Sequence, residues 1–387
     1  MKPLRIQILA FTLTRIVLNT AQRMVYPYMS VFGRGLGVDL TALSQAVAGR
    51  SLLGATGPFL ASIADNRGRK VAMLLGVLIF VIGAILVLGW PIYPVFVLTL
   101  ALTLLGKFVF DPAMQAYVGE RIPYQRRGFI LAITEFGWSL SFIIGVPIMG
   151  FLIARFGWQG PYPALALLGL LGMGSLAWLL PKDPPPASDP PSISRNLLSV
   201  LTFVPALAGL AVGGFASTAN EVINVIFGVW MEDSFGLKIA GLAVTAAVIG
   251  LSELGGEGLT AGLADRLGKP RAVGIGLIAN SLAAIALPIM GSSLPGALLG
   301  LFCFYITFEF TVVSNIPLMS EIVPTARASV MATSAAAHSL GRVLGALLAP
   351  LLYSIGFWGS CLAAVAFNLL AFLALLRLNQ WHDHALR

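Results

Sequence analysis

The chain has 387 residues, of which 58% are apolar and 10% charged, and its mean hydropathy is +0.90. This composition excludes a protein folded around one water-soluble core, because soluble domains carry far more charge. The net charge of +8 does not by itself indicate a nucleic-acid partner, since membrane topology explains where the basic residues lie.

Apolar runs between charged or proline-rich breaks predict twelve transmembrane helices, since about 20 mostly apolar residues cross the hydrocarbon layer. The predicted spans are 6–32, 41–64, 71–90, 93–118, 128–155, 161–180, 197–231, 239–264, 271–290, 295–320, 328–355 and 357–378. They use most of the chain, so the predicted fold class is all-α and integral to the membrane. The basic start resembles a secretory signal, but the early Arg15 and Arg23 favour a first span instead.

Basic residues outside the spans indicate the orientation. With a cytoplasmic N-terminus, sixteen lie on the cytoplasmic side and three, Arg34, Arg155 and Lys238, lie opposite. Lys and Arg accumulate in cytoplasmic loops. We therefore expect a multi-pass protein of the plasma (inner) membrane with both termini cytoplasmic.

Two stretches of the chain are nearly repeated. ASIADNRGRK at Ala61 is followed 200 positions later by AGLADRLGKP at Ala261, and ERIPYQRRG at Glu120 is followed 201 positions later by EIVPTARAS at Glu321. Six spans therefore form one unit that is used twice.

The repeat predicts the domain organisation. We expect an N-terminal six-helix bundle at 1–180 and a C-terminal bundle with a short cytoplasmic tail at 197–387. The cytoplasmic linker between them, 181–196, holds six prolines and favours an extended connector.

The repeated loop resembles that of the major facilitator superfamily (MFS), in which the connection between spans two and three reads approximately G-x-x-x-D-R-x-G-R-R/K. Ala61 and Ala261 stand where the family has its first glycine, and Asn66 replaces the usual arginine. The resemblance covers the whole chain and implies two pseudo-symmetric bundles of six helices around a central cavity, with spans three, six, nine and twelve at the periphery.

The resemblance also implies clusters of charge that hold the cytoplasmic side shut in the outward-open state. The predicted gate residues are Asp65, Arg67, Gly68, Arg69, Lys70, Glu120, Arg126, Arg127, Asp265, Arg266, Gly268, Glu321 and Arg327. From the residues alone, a carboxylate here can cap a neighbouring helix N-terminus, and the glycines allow a sharp turn. A solvated, basic topology loop is the alternative.

Charged residues inside the spans are distributed unevenly. Spans three and six have none, span nine has none after Arg271 at its start, and span twelve has none before Arg377. The other eight carry Arg15, Arg23, Arg50, Lys107, Arg342, Asp111, Glu135, Glu221, Glu253, Glu257 and Glu309. Each costs several kcal/mol unless it faces water or a partner, so we expect them to line a cavity.

Helical spacing groups some of these residues. Lys107 and Asp111 are four apart and are expected to pair; His338 and Arg342 share a face in the same way. Arg15, Asn19 and Arg23 form one stripe of the first span. Glu253 and Glu257 are a like-charge couple, of which at least one is expected to hold a proton.

Acids inside spans are the usual proton carriers of transporters, and Glu221 and Glu309 are the first candidates here. Asp111, Glu135 and then the Glu253–Glu257 couple follow. The alternative for each is a structural lock to a buried base, and it is as good an explanation for Asp111 beside Lys107. His338 can titrate near neutral pH, or be simply packed.

Aromatic residues near span ends are typical of interfacial anchors. They are Tyr26, Tyr28, Trp90, Trp158, Trp230 and Trp358. Tyr26 and Tyr28 are alternatively expected to border the substrate path.

The fifth span carries SLSFIIGVPIMG, whose Gly145, Pro147 and Gly150 resemble an eroded form of the glycine-rich element of family exporters that exchange substrate for protons. We therefore expect a secondary active transporter that moves a small organic solute by alternating access, as a proton-coupled antiporter in efflux. The alternatives are uptake by proton symport, lipid or lysolipid flipping, and a non-transporting receptor or scaffold.

An enzyme is not expected. The sequence has no G-x-x-x-x-G-K-[ST] nucleotide loop and no arrangement of Ser, His or acidic residues typical of a hydrolase or a metal site. We expect no cofactor other than a coupling proton. The expected partners are the lipid bilayer and a small organic substrate, with no nucleic acid and no obligatory protein.

Overall fold

A computed structural model of the chain describes residues 3–56, 68–122, 124–181, 200–322 and 327–385. Within these ranges, the side chains of 124–129, 131–132, 265, 327–329 and 379–385 are not described. All the regular elements in the described ranges are helices. The all-α membrane fold expected from the composition is confirmed.

The first of two compact units contains Met1–Asp39, Phe59–Pro191 and Lys238–Ala247. Its helices are α1 (Leu4–Arg23), α2 (Met29–Leu36), α4 (Arg69–Gly89), α5 (Tyr93–Arg121), α6 (Tyr124–Leu140), α7 (Val146–Phe156) and α8 (Pro161–Leu179). The helix α11 (Ile239–Leu267) begins in this unit.

The second unit contains Leu40–Pro58, Ser192–Leu237 and Val248–Arg387. Besides the rest of α11, its helices are α3 (Leu40–Leu52), α9 (Val204–Asn224), α10 (Phe227–Phe235), α12 (Lys269–Met290), α13 (Leu294–Ile322), α14 (Arg327–Ser354) and α15 (Phe357–Ala385). A 3₁₀ turn, Leu53–Thr56, extends α3. Residues 182–196 of the predicted linker lie outside the described residues.

Ten helical stretches in the described part of the chain are long and apolar enough to cross a membrane. They correspond to predicted spans three to twelve. The 21 residues of α4 are about 31 Å long at 1.5 Å per residue, which matches the hydrocarbon thickness. A multi-pass membrane protein is therefore confirmed, and the count of twelve is compatible with it.

Two predicted spans are interrupted. The first is not one helix over 6–32 but α1 and α2 separated at Met24–Tyr28, because Pro27 lacks an N–H and cannot continue a helix. The seventh is divided into α9 and α10 at Val225 and Ile226, where Ile226 N–H bonds the carbonyl of Ile223. Both breaks fall in the last third of their predicted spans.

The helices α4 and α5 cross at two glycines. A Cβ atom on Gly106 would lie 2.9 Å from Phe80 N, and one on Gly76 would lie 2.9 Å from Phe110 N. Only glycine permits this backbone approach, which membrane helices use in place of a hydrophobic driving force. α5 is thereby held at a fixed register against α4.

A polar connection joins three helices of the second unit. Asn280 of α12 donates to the carbonyl of Phe304 on α13 at 2.7 Å, and Asn368 of α15 donates to Asn280 Oδ1 at 2.8 Å. Both asparagines are buried. The connection satisfies amides that would otherwise be costly in hydrocarbon.

Some of the predicted interfacial aromatic residues are packed inside the units instead. Trp230 is 4% exposed and stacks on Phe357 with ring centroids 3.9 Å apart. Trp158 packs edge-on against Phe32 and Tyr162. Aromatic packing in these places outweighs the preference for the lipid interface.

Candidate functional site

A buried stripe of polar residues on α1 contacts α6. Arg15 donates from Nη1 to Glu135 Oε1 at 2.7 Å and from Nη2 to Glu135 Oε2 at 3.0 Å. It also donates to the carbonyl of Thr134 at 2.9 Å. One turn further, Asn19 donates to the carbonyl of Gly137 at 3.0 Å.

Arg23 ends the stripe. It donates to the carbonyl of Trp138 at 3.0 Å, and its guanidinium carbon lies 4.2 Å from the centre of the Trp138 ring. The ring of Phe142 lies 3.5 Å away. The predicted common face of Arg15, Asn19 and Arg23 is therefore present, because a spacing of four keeps residues on one side of a helix.

The helix α5 brings a base and an acid to this stripe. Lys107 pairs with Asp111 one turn away, as predicted, and Asp111 Oδ1 lies 3.1 Å from Arg15 Nε in an ion pair without hydrogen-bond alignment. Gln22 of α1 donates to Thr103 Oγ1 of α5 at 3.0 Å. Three helices thus share one network of charge inside the first unit.

The glycine-rich element of the fifth span contains a wide π-helical turn, Ser141–Gly145, in which Val146 N–H bonds the carbonyl of Ser141. Pro147 explains it, since the ring would clash with the carbonyl four residues earlier in an α-helix. A Cβ at Gly145 would lie 3.0 Å from Thr20 Cβ, and one at Gly150 would lie 2.8 Å from Tyr28 Cζ. The element lets α1 and the following turn approach closely.

In the second unit, α9 carries the corresponding polar stripe. Glu221 is 1% exposed and its Oε2 accepts a hydrogen bond from Asn224 at 3.3 Å. Asn224 Oδ1 accepts another from Tyr305 of α13 at 2.9 Å. Glu309, also buried, lies one turn beyond Tyr305 on α13.

The helix α14 joins this stripe through His338. Its Nδ1 shares a hydrogen bond of 2.7 Å with Ser217 Oγ of α9. Arg342 lies one turn further and is half-buried. Three helices, α9, α13 and α14, thus share polar contacts in the second unit as α1, α5 and α6 do in the first.

The acidic couple of α11 is unequally buried. Glu253 is 3% exposed, and Glu257 is half-buried. A Cβ on Gly256 would lie 2.7 Å from Glu309 Cβ, so the backbone of α11 contacts α13 at Glu309. Glu253, Glu257 and Glu309 therefore lie on two helices in contact.

A similar ion pair is present beside each copy of the repeated loop. Arg69 Nη2 lies 2.9 Å from Glu120 Oε1 in the first unit, and Lys269 pairs with Glu321 in the second. Lys269 is not among the predicted gate residues. Its position one residue after Gly268 nevertheless matches that of Arg69 after Gly68. Aligning the two copies of the loop would have identified it.

The glycines of these loops make the predicted turn. Gly68 and Gly268 precede α4 and α12 with φ angles of +95° and +82°, which residues with a side chain rarely adopt. Lys70 donates to the carbonyls of Ala177 and Leu180 at the end of α8, both at 2.7 Å. A cation is favourable at a helix C-terminus.

Some predicted gate residues are not placed by the structure. Asp65 and Arg67 lie outside the described residues, as do the side chains of Arg126, Arg127, Asp265 and Arg327. Arg266 is described and is exposed.

The family model described as Major Facilitator Superfamily matches residues 11–325 and, in a second match, 210–384. The chain is 26% identical over 384 residues to the uncharacterized MFS-type transporter YwfA of Bacillus subtilis, covering 94% of this chain and 90% of that protein. It is 28% identical over 178 residues to the inner membrane transport protein YdhP of Escherichia coli, covering 45% of each.

Solved structures with a similar fold include a D-xylose–proton symporter, at a TM-score of 0.78 and 17% identity, covering 95% of this chain and 97% of that one. The human organic anion transporter MFSD10 matches at 0.73 and 18%, covering 97% of this chain and 100% of that one. Identities this low establish the fold alone.

Long apolar helices with charged contacts buried between them define a multi-pass membrane protein. The chain belongs to the major facilitator superfamily, as the sequence resemblance had indicated.

Proposed function

We propose that this protein exports a small organic solute in exchange for protons, by alternating access of its two repeats across the plasma (inner) membrane. The observation that carries the proposal is the set of carboxylates buried in contacts between otherwise apolar helices. Such acids are rare in spans and mark ion and proton pathways.

The positions and contacts of these acids support a ranking of them as sites of proton exchange. Arg15 binds both Asp111 and Glu135, and these ion pairs fit a role in fixing helices and orienting the cavity. Glu221 accepts a hydrogen bond from the amide of Asn224. Neither Glu221 nor Glu309 has a base four residues away on its own helix, so we place proton exchange there first and keep Asp111 and Glu135 as second candidates.

The repeated ion pairs support a gating role at the cytoplasmic loops. Glu120 and Glu321 are 50% and 58% exposed, so each pair contributes only about 0–1 kcal/mol to stability. A contact this weak can form and break in each cycle. Rocking of two repeats about a site near the bilayer midplane is the usual basis of alternating access.

The direction of transport rests on the fifth span. Its Gly145, Pro147 and Gly150 allow α1 to approach α6 and α7 closely, and they resemble the element of proton-exchanging exporters. Export is therefore proposed ahead of uptake.

The test is transport in proteoliposomes with an imposed pH gradient and an entrapped pH-sensitive dye, using a panel of anionic, cationic and neutral organic solutes. We expect a solute whose movement carries protons the other way. Glu221→Gln and Glu309→Gln should uncouple solute movement from protons, whereas Asp39→Asn, at an exposed carboxylate between α2 and α3, should not. Full proton coupling in both glutamine variants would show that the proposed sites are wrong.

A further inference from the structure

The contacts between α12 and α15 define an antiparallel register. Asn368 Nδ2 of α15 donates to Asn280 Oδ1 of α12 at 2.8 Å. Closer to the start of α12, a Cβ on Gly274 would lie 3.5 Å from Phe372 Cε2 and 3.5 Å from Leu375 Cδ2. Each step towards the start of α12 is therefore matched by a step towards the end of α15.

This register places two arginines at one level of the membrane. Arg271 lies nine residues before Asn280, and Arg377 lies nine residues after Asn368. At 1.5 Å per residue, each is about 13.5 Å from the asparagine contact along its helix. Asn280 is at the middle of the 22-residue α12, and half of the hydrocarbon layer is about 15 Å thick. Both arginines therefore lie where the hydrocarbon meets the lipid headgroups.

Both arginines are exposed, and each lies at the end of an exposed apolar stripe. The residues of each stripe follow the three- and four-residue spacing of one helix face. They are Ile275, Ile278 and Leu282 on α12, and Leu369 and Leu373 on α15. Exposed apolar residues on helices that cross a membrane face acyl chains, so Arg271 and Arg377 lie on the lipid-facing surface.

The chemistry of this surface is cationic at one end and apolar along the rest. Neither α12 nor residues 357–378 of α15 contain an acid that could balance the arginines. A recess of about 550 Å³ lies beside Arg377 and is otherwise lined by Leu373, Ala374 and Leu376. A phospholipid with an anionic headgroup complements both parts, and basic pockets between transmembrane helices are typical sites for such headgroups.

We infer that Arg271, Arg377 and the recess beside Leu373 form a site for an anionic phospholipid of the leaflet proposed to be cytoplasmic. The two guanidinium groups donate to oxygens of the headgroup, and the acyl chains lie along the exposed stripes. None of these residues belongs to the proposed proton sites, so the inference goes beyond the proposed function and does not depend on the direction or coupling of transport.

Native mass spectrometry of the purified full-length protein measures the lipid preference. The protein is incubated in detergent with equal amounts of phosphatidylglycerol and phosphatidylcholine that carry the same acyl chains. We expect phosphatidylglycerol to be retained at least about fivefold more, the effect of one arginine near an anionic headgroup. Equal retention of the two lipids overturns the inference. So does displacement of phosphatidylglycerol by excess inorganic phosphate, because a free anion lacks the acyl chains that the recess is expected to hold.

Substitution of the two arginines tests the residues themselves. Arg271→Gln combined with Arg377→Gln should remove the preference for phosphatidylglycerol. The matched control combines Arg5→Gln with Arg155→Gln, which removes the same charge from two arginines that are also exposed, on α1 and α7. The control should keep the preference. Equal loss in both double variants would indicate general attraction of anionic lipid to positive charge and overturn the site, as would an unchanged preference in the first.

Thermal unfolding gives a second readout and shows whether each variant is folded. Phosphatidylglycerol should raise the unfolding temperature of the unaltered protein and of the control more than phosphatidylcholine does, because a ligand stabilises the state that binds it. The variant without Arg271 and Arg377 should respond equally to the two lipids, and a larger response to phosphatidylglycerol would overturn the site. Lipid selectivity that depends on both arginines, in a protein without flux, supports the lipid site and contradicts the proposed transport.

Discussion

Arg15 and Glu135 form a two-pronged ion pair across the contact between α1 and α6, with nitrogen–oxygen distances of 2.7 and 3.0 Å. The same guanidinium contacts Asp111 of α5. Its two acidic partners differ in exposure. The side chain of Asp111 is 14% accessible and that of Glu135 is 46% accessible. Arg15 therefore connects three helices, and we expect Asp111 and Glu135 to contribute unequally to the stability of this contact.

Arg15→Gln should be far more damaging than Glu135→Gln. Losing the base leaves buried Asp111 with Lys107 alone, and breaking a buried pair costs about 3–5 kcal/mol. Losing Glu135 removes a carboxylate that water already reaches, and Arg15 keeps Asp111. Thermal unfolding in detergent should show a large drop for the first variant and a small one for the second. Equal stability of Arg15→Gln and the unaltered protein would contradict the central role of Arg15.

The contact between α9 and α14 depends on Gly345. A Cβ there would lie 2.7 Å from Glu221 Cβ and 2.8 Å from the carbonyl of Thr218. Gly345→Ala should force the helices apart, at about 1–3 kcal/mol, and disturb the surroundings of Glu221. Thermal unfolding and proton-coupled flux should both decline.

The matched control for that substitution is Gly174→Ala in α8, where nothing lies within 4 Å of an added Cβ. Alanine favours a helix by up to about 1 kcal/mol over glycine, so this variant should be as stable as the unaltered protein or more so. If both alanine variants behave alike, close packing at Gly345 is not the cause of its effect.

The ion pairs at the two copies of the loop predict that exchanging the two charges of one pair restores flux. Lys269→Glu and Glu321→Lys should each impair flux through like-charge repulsion, while the double variant should regain much of it. Stability should change little in any of the three, since the pair is partly exposed. Flux is measured in proteoliposomes and stability by thermal unfolding. A double variant no better than the single ones would show that Lys269 and Glu321 act separately.

Much of this arrangement could be predicted because it follows from regular spacing. Four-residue steps placed Arg15, Asn19 and Arg23 on one face of α1, and the same rule paired Lys107 with Asp111. The offset of 200 residues is enough to identify the two loops and the glycines at their turns. Sequence could not show which helix the α1 stripe meets, because that depends on packing between distant segments.

Other features had weak or misleading local signals. The break at Val225 and Ile226 has neither proline nor glycine, so hydrophobic periodicity continued through it. Trp230 looked like an interfacial anchor by its place near a span end, but Phe357 covers it. Trp138 gave no signal of its own, since its contact with Arg23 depends on the register of α1 against α6.

The orientation of the protein is open to a direct test. Sixteen basic residues on one side against three on the other predict that both termini are cytoplasmic. A green fluorescent protein fused after the last residue should fluoresce in a bacterial host, and alkaline phosphatase fused at the same point should be inactive. The reverse pattern would place the repeated loops outside the cell and contradict the proposed cytoplasmic gate.

The stoichiometry of charge distinguishes antiport from symport. If one monovalent anion leaves for each proton that enters, two charges move in the same electrical direction, and a membrane potential contributes about 2.3 kcal/mol per 100 mV for each. Symport of an anion with a proton is electrically neutral. In proteoliposomes loaded with a transported anion from the solute panel, an inside-negative potassium diffusion potential should accelerate efflux and acidify the lumen. Efflux that ignores the potential and raises the internal pH would indicate symport, and efflux without any pH change would indicate that protons are not coupled.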